Sequence, residues 1–584
     1  MEEKARRTVN AFFESIDKWF GNEPRAALVL IVLVVGLVFG QAVHFGFVPY
    51  DDPEMVLGNG YVNGGLTVEG IRWALTYHDS GLQVAHAGVE NLWHPLTWIS
   101  HMTDVQVFGV ERAGGHHLTS VLLHCLTSWM VYLFAWRLTA SPLAGLVAAL
   151  LFAIHPLHVE SVAWISDRKG VLSGLFFFSS LWMIVTGRRS WAWMFFLAAM
   201  MAKPSTVILP VLAILALGWK AGERSWGWRF WWTKLIEWRW WFGIALVISV
   251  MTLWFQGKGS HGEWMHHLSL SYRLLHLPGG LFFTLWHLFV PFGLTFHYAY
   301  PEDNLWVSLL FWVLLIFGML MVWWWRRRYP DLFFAAMWFL VGALPSAGIF
   351  YVGTSYTADR YSYLPLTGAF LFFGLWVAGR GGKFYKGRVG FAGLLCCGLM
   401  VLSYRQCATW RDGWTLLTHA ERIQPRNPVV LGNLGAMHQR SAQHREAMDL
   451  FRRALKIAPE DARVWYNMGN SLRDSGEPVE AIEAFRRAVN SSPGFANAWR
   501  NLGLVLCAPG NPQRDVRVAR DAFARACELT SRNDAIPLVM LAEMEFELGN
   551  VPEARRVLEE LQGFRQLDLK VQQAVSRLRT RYGD

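Results

Sequence analysis

Of 584 residues, 53% are hydrophobic and 17% charged, whereas soluble domains average about 25% charged. The deficit is one-sided: 50 of the first 404 residues are charged, against 48 of the last 180, so the two parts suit different solvents. The net charge of +10 is scattered among apolar runs instead of gathered on one face, which argues against a nucleic-acid partner. The six cysteines (Cys125, Cys396, Cys397, Cys407, Cys507 and Cys527) have neither zinc nor redox spacing.

The first apolar run, Arg25 to Phe47, is long enough to span a bilayer. It follows a charged start and lacks a small-residue cleavage site, so it reads as a retained anchor. Further apolar segments follow near 118–136, 143–157, 171–186, 191–202, 205–219, 240–255, 305–325, 331–350, 364–379 and 389–404, making about eleven crossings. Leu277–Pro291 is apolar as well, but counting it as a crossing would invert every later loop, so it is expected to be a re-entrant or interfacial helix. The basic clusters at Arg137, Arg188–Arg189, Lys220–Lys234, Arg326–Arg328 and Arg380–Arg388 then all fall on the cytoplasmic side. Loops 49–117, 158–170, 256–275 and 351–363, with everything after 405, fall outside. Of 32 tryptophans, 28 precede residue 405, many at segment ends, as in an interfacial aromatic belt.

Beyond residue 405 the sequence repeats. Pro425, Pro459 and Pro493 are 34 apart, as are Asn433, Asn467 and Asn501, and the pairs Leu434–Gly435, Met468–Gly469 and Leu502–Gly503 keep the same period. Helix–turn–helix units of that length are tetratricopeptide repeats (TPRs). The third unit returns four residues late at Phe523, with the insertion expected in Ala508–Pro512. A degenerate fourth unit (Leu541–Leu561) and an amphipathic helix carrying Leu567, Val571 and Val575 are expected to cap the stack. The fold class is therefore all-α, with a polytopic membrane domain at 1–404 and an extracytoplasmic TPR domain at 405–584.

Polar residues on the outer side stand out because a bilayer protein has few to spare. Asp51 and Asp52 follow the first crossing; one carboxylate is suited to act as a general base, while the other orients it or binds a cation. The next outer block, His155 to Lys169, holds His155, His158, Glu160, Asp167, Arg168 and Lys169. His158 with Glu160 is a second candidate cation pair, although zinc sites take three or four ligands; no cofactor is required by any motif. A third block carries Asp359 and Arg360, whose planar fork suits a phosphate, and Lys203 joins them at the outer face. An outward site implies a donor that crosses the membrane as a lipid, hence glycosyl transfer from a lipid-linked sugar. The carboxylate deprotonates the acceptor hydroxyl and the cations stabilise the departing phosphate, inverting the anomeric centre.

Tyr50-Asp51-Asp52, Trp93-His94-Pro95-Leu96, Gly115-His116-His117-Leu118 with His124, His155–Lys169, Ala358–Pro365 and the repeat tail together resemble the transmembrane and TPR O-mannosyltransferases and their bacterial relatives. That family belongs to the polytopic lipid-donor (GT-C) glycosyltransferases. The resemblance implies a polyprenyl- or dolichyl-phosphate sugar donor, often mannose, and a hydroxyl acceptor on a protein; the TPR groove is expected to recruit that acceptor or a partner. It implies that the first-loop acid is Asp51 or Asp52, with Glu160 in the second-loop block as a further catalytic candidate. It also implies donor contacts by His94, His155, His158, Arg168, Asp359 and Arg360; Lys169 and, unless it merely snorkels to the interface, Lys203 join them from their positions in the outer loops. His94 stands where relatives carry Arg, and a neutral imidazole is the weaker phosphate ligand. A bacterial inner membrane with a periplasmic tail is expected in preference to the endoplasmic reticulum membrane. The competing classes are an O-antigen-type ligase or polymerase and a membrane-anchored TPR scaffold without activity.

Overall fold

The computed structural model describes residues 23–76, 93–223, 226–256, 269–301, 304–349, 355–379, 384–530, 534–561 and 569–582. Among these, helices and turns account for the regular structure, with no sheet. The chain divides into two compact units, the second running from Leu417 to Asp584. The boundary lies past residue 404 because the helix Tyr385–Ala408 continues beyond it. After that helix, Trp410 is buried and stacks on Trp164 at 5.9 Å.

In the first unit, α1 (Pro24–Phe39), α2 (Pro95–Phe108), α3 (Ala113–Thr139), α4 (Pro142–Ile154), α5 (Arg168–Val185) and α6 (Arg189–Ala202) surround the candidate site. Five helices among the described residues are long and apolar enough to cross a membrane, or seven if each of two bent pairs is one span. Three shorter apolar helices, Pro204–Lys220, Pro330–Ser346 and Thr367–Ala378, lie on other expected segments. Burial sorts the spans. Leu305–Trp325 has a mean hydropathy of 2.6 but is only 6% buried, whereas Ala113–Thr139 is 67% buried. The first leaves most of its surface uncovered, packing mainly against the helices Leu270–Phe289 and Pro330–Ala343, and the second is the axis on which α1, α4 and α5 pack. Close approach is set by small residues: a Cβ on Gly374 would lie 2.4 Å from the Ala144 carbonyl oxygen, so the helix Thr367–Ala378 seats against α4 only with glycine there.

Leu277–Pro291 belongs to a 20-residue helix, Leu270–Phe289, that starts at a Ser269 N-cap and contains Pro278. It does not reach the hydropathy of the candidate spans.

The expected outer loop at 158–170 is not a solvated loop. Pro156 disfavours helical geometry in the residue before it, and His155 accordingly has ψ 133°, ending α4. The chain bends by 58° into Pro156–Ala163 and makes one further short turn, Ile165–Asp167, before α5 begins. Every residue from His155 to Arg168 is buried.

The second unit is a stack of antiparallel helix pairs: Pro428–Arg440 with His444–Ile457, Ala462–Asp474 with Pro478–Ser491, Ala496–Cys507 with Val516–Leu529, and Ala535–Glu547 with Val551–Glu560. One contact recurs. Gly435, Gly469 and Gly503 each lie under the ring of Phe451, Phe485 or Phe523, where a Cβ would come within 2.6–2.8 Å of ring carbon. The insertion falls in the turn between Cys507 and Val516, where the Asn511 amide donates to the Val505 carbonyl. The closing helix, Leu569–Tyr582, buries Val571 and Leu578; Leu567 lies outside the described residues.

Candidate active site

Asp51 and Asp52 are neighbours with opposite environments. Asp52 is 1% exposed. Its Oδ2 accepts from the Val48 N–H at 3.0 Å, and its Oδ1 accepts from both the N–H and the hydroxyl of Ser166. Burial nevertheless raises its pKa to about 7, against the pull of those hydrogen bonds. Asp52 thus ties the first loop to the buried block that ends in Lys169. Asp51 is exposed and sits at φ 60°, in the left-handed region. That turn directs the two carboxylates to different surroundings, and the Asp51 side chain makes no hydrogen bond or ion pair among the described residues. It interacts electrostatically with Lys169 and Tyr50.

Glu160, 2% exposed, closes on Arg360: one oxygen accepts from the Arg360 N–H at 2.8 Å, and the other pairs with its guanidinium. The guanidinium also lies over Trp164 and Tyr361, at 5.1 and 5.0 Å from their ring centroids. Trp164 is held in turn by its indole N–H, which donates to the Tyr50 carbonyl at 3.0 Å. Asp359 is buried and accepts from the Tyr298 hydroxyl at 2.9 Å.

Two further cations, Lys203 and Lys169, share a region with Arg360. Lys203 ends α6 and pairs with Asp167 at 3.4 Å while remaining partly exposed. Lys169, also partly exposed, interacts electrostatically with Asp51, Asp167, Lys203 and Arg360. His94 joins them because the Thr97 hydroxyl donates to the Ala202 carbonyl at 2.9 Å, fixing the start of α2 against the end of α6. Burial, reinforced by Lys169 and Lys203, holds the His94 imidazole well below the usual histidine range, so it presents a neutral ring.

The remaining expected residues are part of the framework. Arg168 is fully buried in this arrangement: Nε donates to Ser120, Nη1 to Ser100 and Nη2 to the His116 carbonyl, with Asp104 Oδ2 at 2.7 Å from Nη2. All three nitrogens are engaged by protein, so none turns to a donor phosphate. His155 Nδ1 accepts from the Leu157 N–H, leaving Nε2 to donate to the Leu288 carbonyl at 3.1 Å. His158 Nδ1 bonds to the Phe152 carbonyl at 2.8 Å, and the ring packs among Phe152, Tyr363 and Phe370. With Glu160 engaged by Arg360, a cation at His158 and Glu160 would have to break that ion pair. A cation at Asp51 and Asp52 would likewise compete with three hydrogen bonds to Asp52.

Ser166, Tyr298, His101 and Asp104 escape the sequence reading. The first two carry no local signal. His101 and Asp104, three apart on a helix, share a face, and an aspartate in so apolar a stretch was the available clue. Asp167 lies within the block that sequence singles out, but its role as the partner of Lys203 is visible only in space.

Fold and site together define a polytopic, all-helical membrane protein with a TPR tail. The Tetratricopeptide repeat family model matches residues 437–496 and 466–511. Part of the chain is also similar to protein O-mannosyl-transferases. It is 33% identical to Tmtc1 of Drosophila melanogaster over 137 residues, which are 24% of this chain and 15% of that protein. It is 35% identical to Tmtc2 of the same organism over 125 residues, 21% of this chain and 13% of that one. The matched stretches thus span well under a quarter of either relative. Among solved structures, pilF of Pseudomonas aeruginosa is similar over 34% of this chain and 86% of its own, at 20% identity and a TM-score of 0.26.

Proposed function

We propose that the protein is an inverting glycosyltransferase. It moves a sugar, mannose by the name of its relatives, from a polyprenyl phosphate to a hydroxyl on a protein, at the extracytoplasmic face of a bacterial inner membrane. The observation that carries this reading is the contrast between Asp51 and its neighbours. Asp52, Glu160, Asp167 and Asp359 each hold a protein partner, whereas the Asp51 carboxylate is exposed beside the cations.

In this reading Asp51 is the general base. It takes the proton of the acceptor hydroxyl as that oxygen bonds to the anomeric carbon from the face opposite the phosphate. The bond from the anomeric carbon to the phosphate oxygen breaks with its electron pair on the phosphate. Lys169, Lys203 and Arg360 receive the growing negative charge. Glu160 orients Arg360, Asp167 orients Lys203, and Asp52 holds the loop that presents Asp51. Neutral His94 completes the wall as a hydrogen-bonding group. The TPR unit recruits the acceptor chain.

The test is transfer from synthetic polyprenyl-phosphomannose to a hydroxyl peptide by the purified full-length protein. Asp51→Asn should abolish transfer while leaving the melting temperature unchanged; normal transfer by that variant would refute the mechanism.

A further inference from the structure

We propose that His101, Asp104 and His116 form a binding site for a divalent transition-metal ion, with zinc the best match to the ligands. The three come from two helices. His101 and Asp104 share a face of α2, and His116 lies in the first turn of α3. They are 0%, 3% and 0% exposed, and one potential ligand atom from each lies within 4.8 Å of the others.

Two observations point to an ion. Both ring nitrogens of His101 and Nε2 of His116 lack a hydrogen-bond partner among the described residues, and His116 Nδ1 has only Asp104 beside it. Orphaned polar atoms at zero exposure are rare, and a bound ion or water is an ordinary explanation for them. The second observation is a distance. His116 Nδ1 stands 3.4 Å from Asp104 Oδ2, longer than a good N–H···O hydrogen bond. Two ligands on one tetrahedral zinc, with bonds of about 2.0–2.1 Å, are separated by roughly 3.3–3.4 Å.

Two imidazoles and a carboxylate select borderline ions over the oxygen-seeking magnesium and calcium. Three protein ligands also leave a fourth position for water. Asp104 can serve the ion without losing its present partners. Its Oδ1 accepts from the Thr119 hydroxyl at 2.7 Å, and Oδ2 lies 2.7 Å from Arg168 Nη2. A carboxylate offers about four acceptor directions, so Oδ2 keeps one toward the imidazoles. The nearby guanidinium repels a dication, so the site should bind more weakly than one with no such neighbour. An ion here would clamp α2 to α3 and, through the shared carboxylate, fix Arg168, the residue before Lys169.

Full-length protein without a polyhistidine tag, stripped with chelator and reloaded with Zn2+, should retain about one equivalent. His101→Ala and His116→Ala should each lose it. Arg168→Gln removes the competing cation and should tighten binding about tenfold or more, an effect that a site elsewhere in the protein would not show. Wild-type protein that retains no zinc, or alanine variants that retain as much as wild type, would overturn the proposal. Should those variants fail to fold, the wild-type melting temperature with and without Zn2+ decides: a rise supports the site and no rise overturns it. None of these readouts involves the transfer reaction.

Discussion

Glu160 and Arg360, 200 residues apart in sequence, form a two-point contact in which the carboxylate receives both the backbone N–H and the guanidinium of Arg360. The contact sets where the Arg360 charge stands and leaves its planar face against Trp164 and Tyr361. An arginine fixed on three sides loses little further freedom when it meets a phosphate, which is the general advantage of preorganised charge.

Glu160→Gln should therefore leave a largely buried guanidinium without its counter-charge. Removing one member of such a pair costs about 3–5 kcal/mol, and chemical denaturation of the full chain should detect that loss. Donor use should fall with it, while Arg360→Lys, which keeps the charge but not the fork, should recover only part of wild-type donor affinity. A Glu160→Gln variant with wild-type stability and donor KM would show that the contact is incidental.

Asp51→Asn and Asp52→Asn should separate chemistry from structure. The first should lower kcat by about 10²–10⁴-fold, the range for losing a general base, with unchanged stability. The second should loosen the first loop, because an amide cannot accept all three hydrogen bonds without presenting an N–H to one of their donors. Equal melting temperatures for wild type and Asp52→Asn would contradict that assignment.

Asp52 also predicts a pH dependence of folding. Its folded pKa, raised from 3.8 to about 7 by burial, means that the folded state binds the proton more tightly than the unfolded state. The contribution is complete below pH 3.8 and is lost as the pH rises toward 7, a decline of about 4 kcal/mol across that window. The Asp52→Asn variant should lack this component, and equilibrium denaturation at several pH values checks it.

Lys169 and Lys203 flank one region, with Asp167 between them in charge. Replacing either by Ala should raise donor KM about tenfold, by analogy with the loss of one charged contact, and leave the acceptor KM unchanged. An acceptor effect without a donor effect would move both residues to the other substrate.

In the repeat unit, Gly469 lies so close to Phe485 that an added Cβ would stand 2.8 Å from the ring. Gly469→Ala should destabilise that unit by about 1–3 kcal/mol through overpacking. If the unit recruits acceptor, the acceptor KM should rise in the same variant with donor binding intact.

Much of the architecture is readable in the residues themselves. The apolar spans follow from composition, and the 34-residue period predicts the helix pairs, while the glycine–phenylalanine contact that repeats through them is seen only in the packed stack. The same one-dimensional patterns misjudge the segment around His155. Its polar residues signal a loop, but a proline break turns it back into the core, where Arg168 and His158 find backbone and side-chain partners. Burial of a polar residue depends on partners supplied by other helices, and sequence spacing carries no record of them.

The sequence by itself determined the two-solvent division, the repeat unit, and the short set of charged residues gathered outside the basic clusters. Only the tertiary structure decided what each charge does. Asp51 and Asp52 are adjacent and chemically identical, but a left-handed turn leaves one exposed and carries the other to Ser166, 114 residues away. Likewise, Arg168 and Lys169 are consecutive cations, one enclosed by Asp104 and its neighbours and the other facing Asp51. The physical reason is the same in both cases: a buried charge must be neutralised or hydrogen-bonded, and the groups that do this meet it only once the helices have packed.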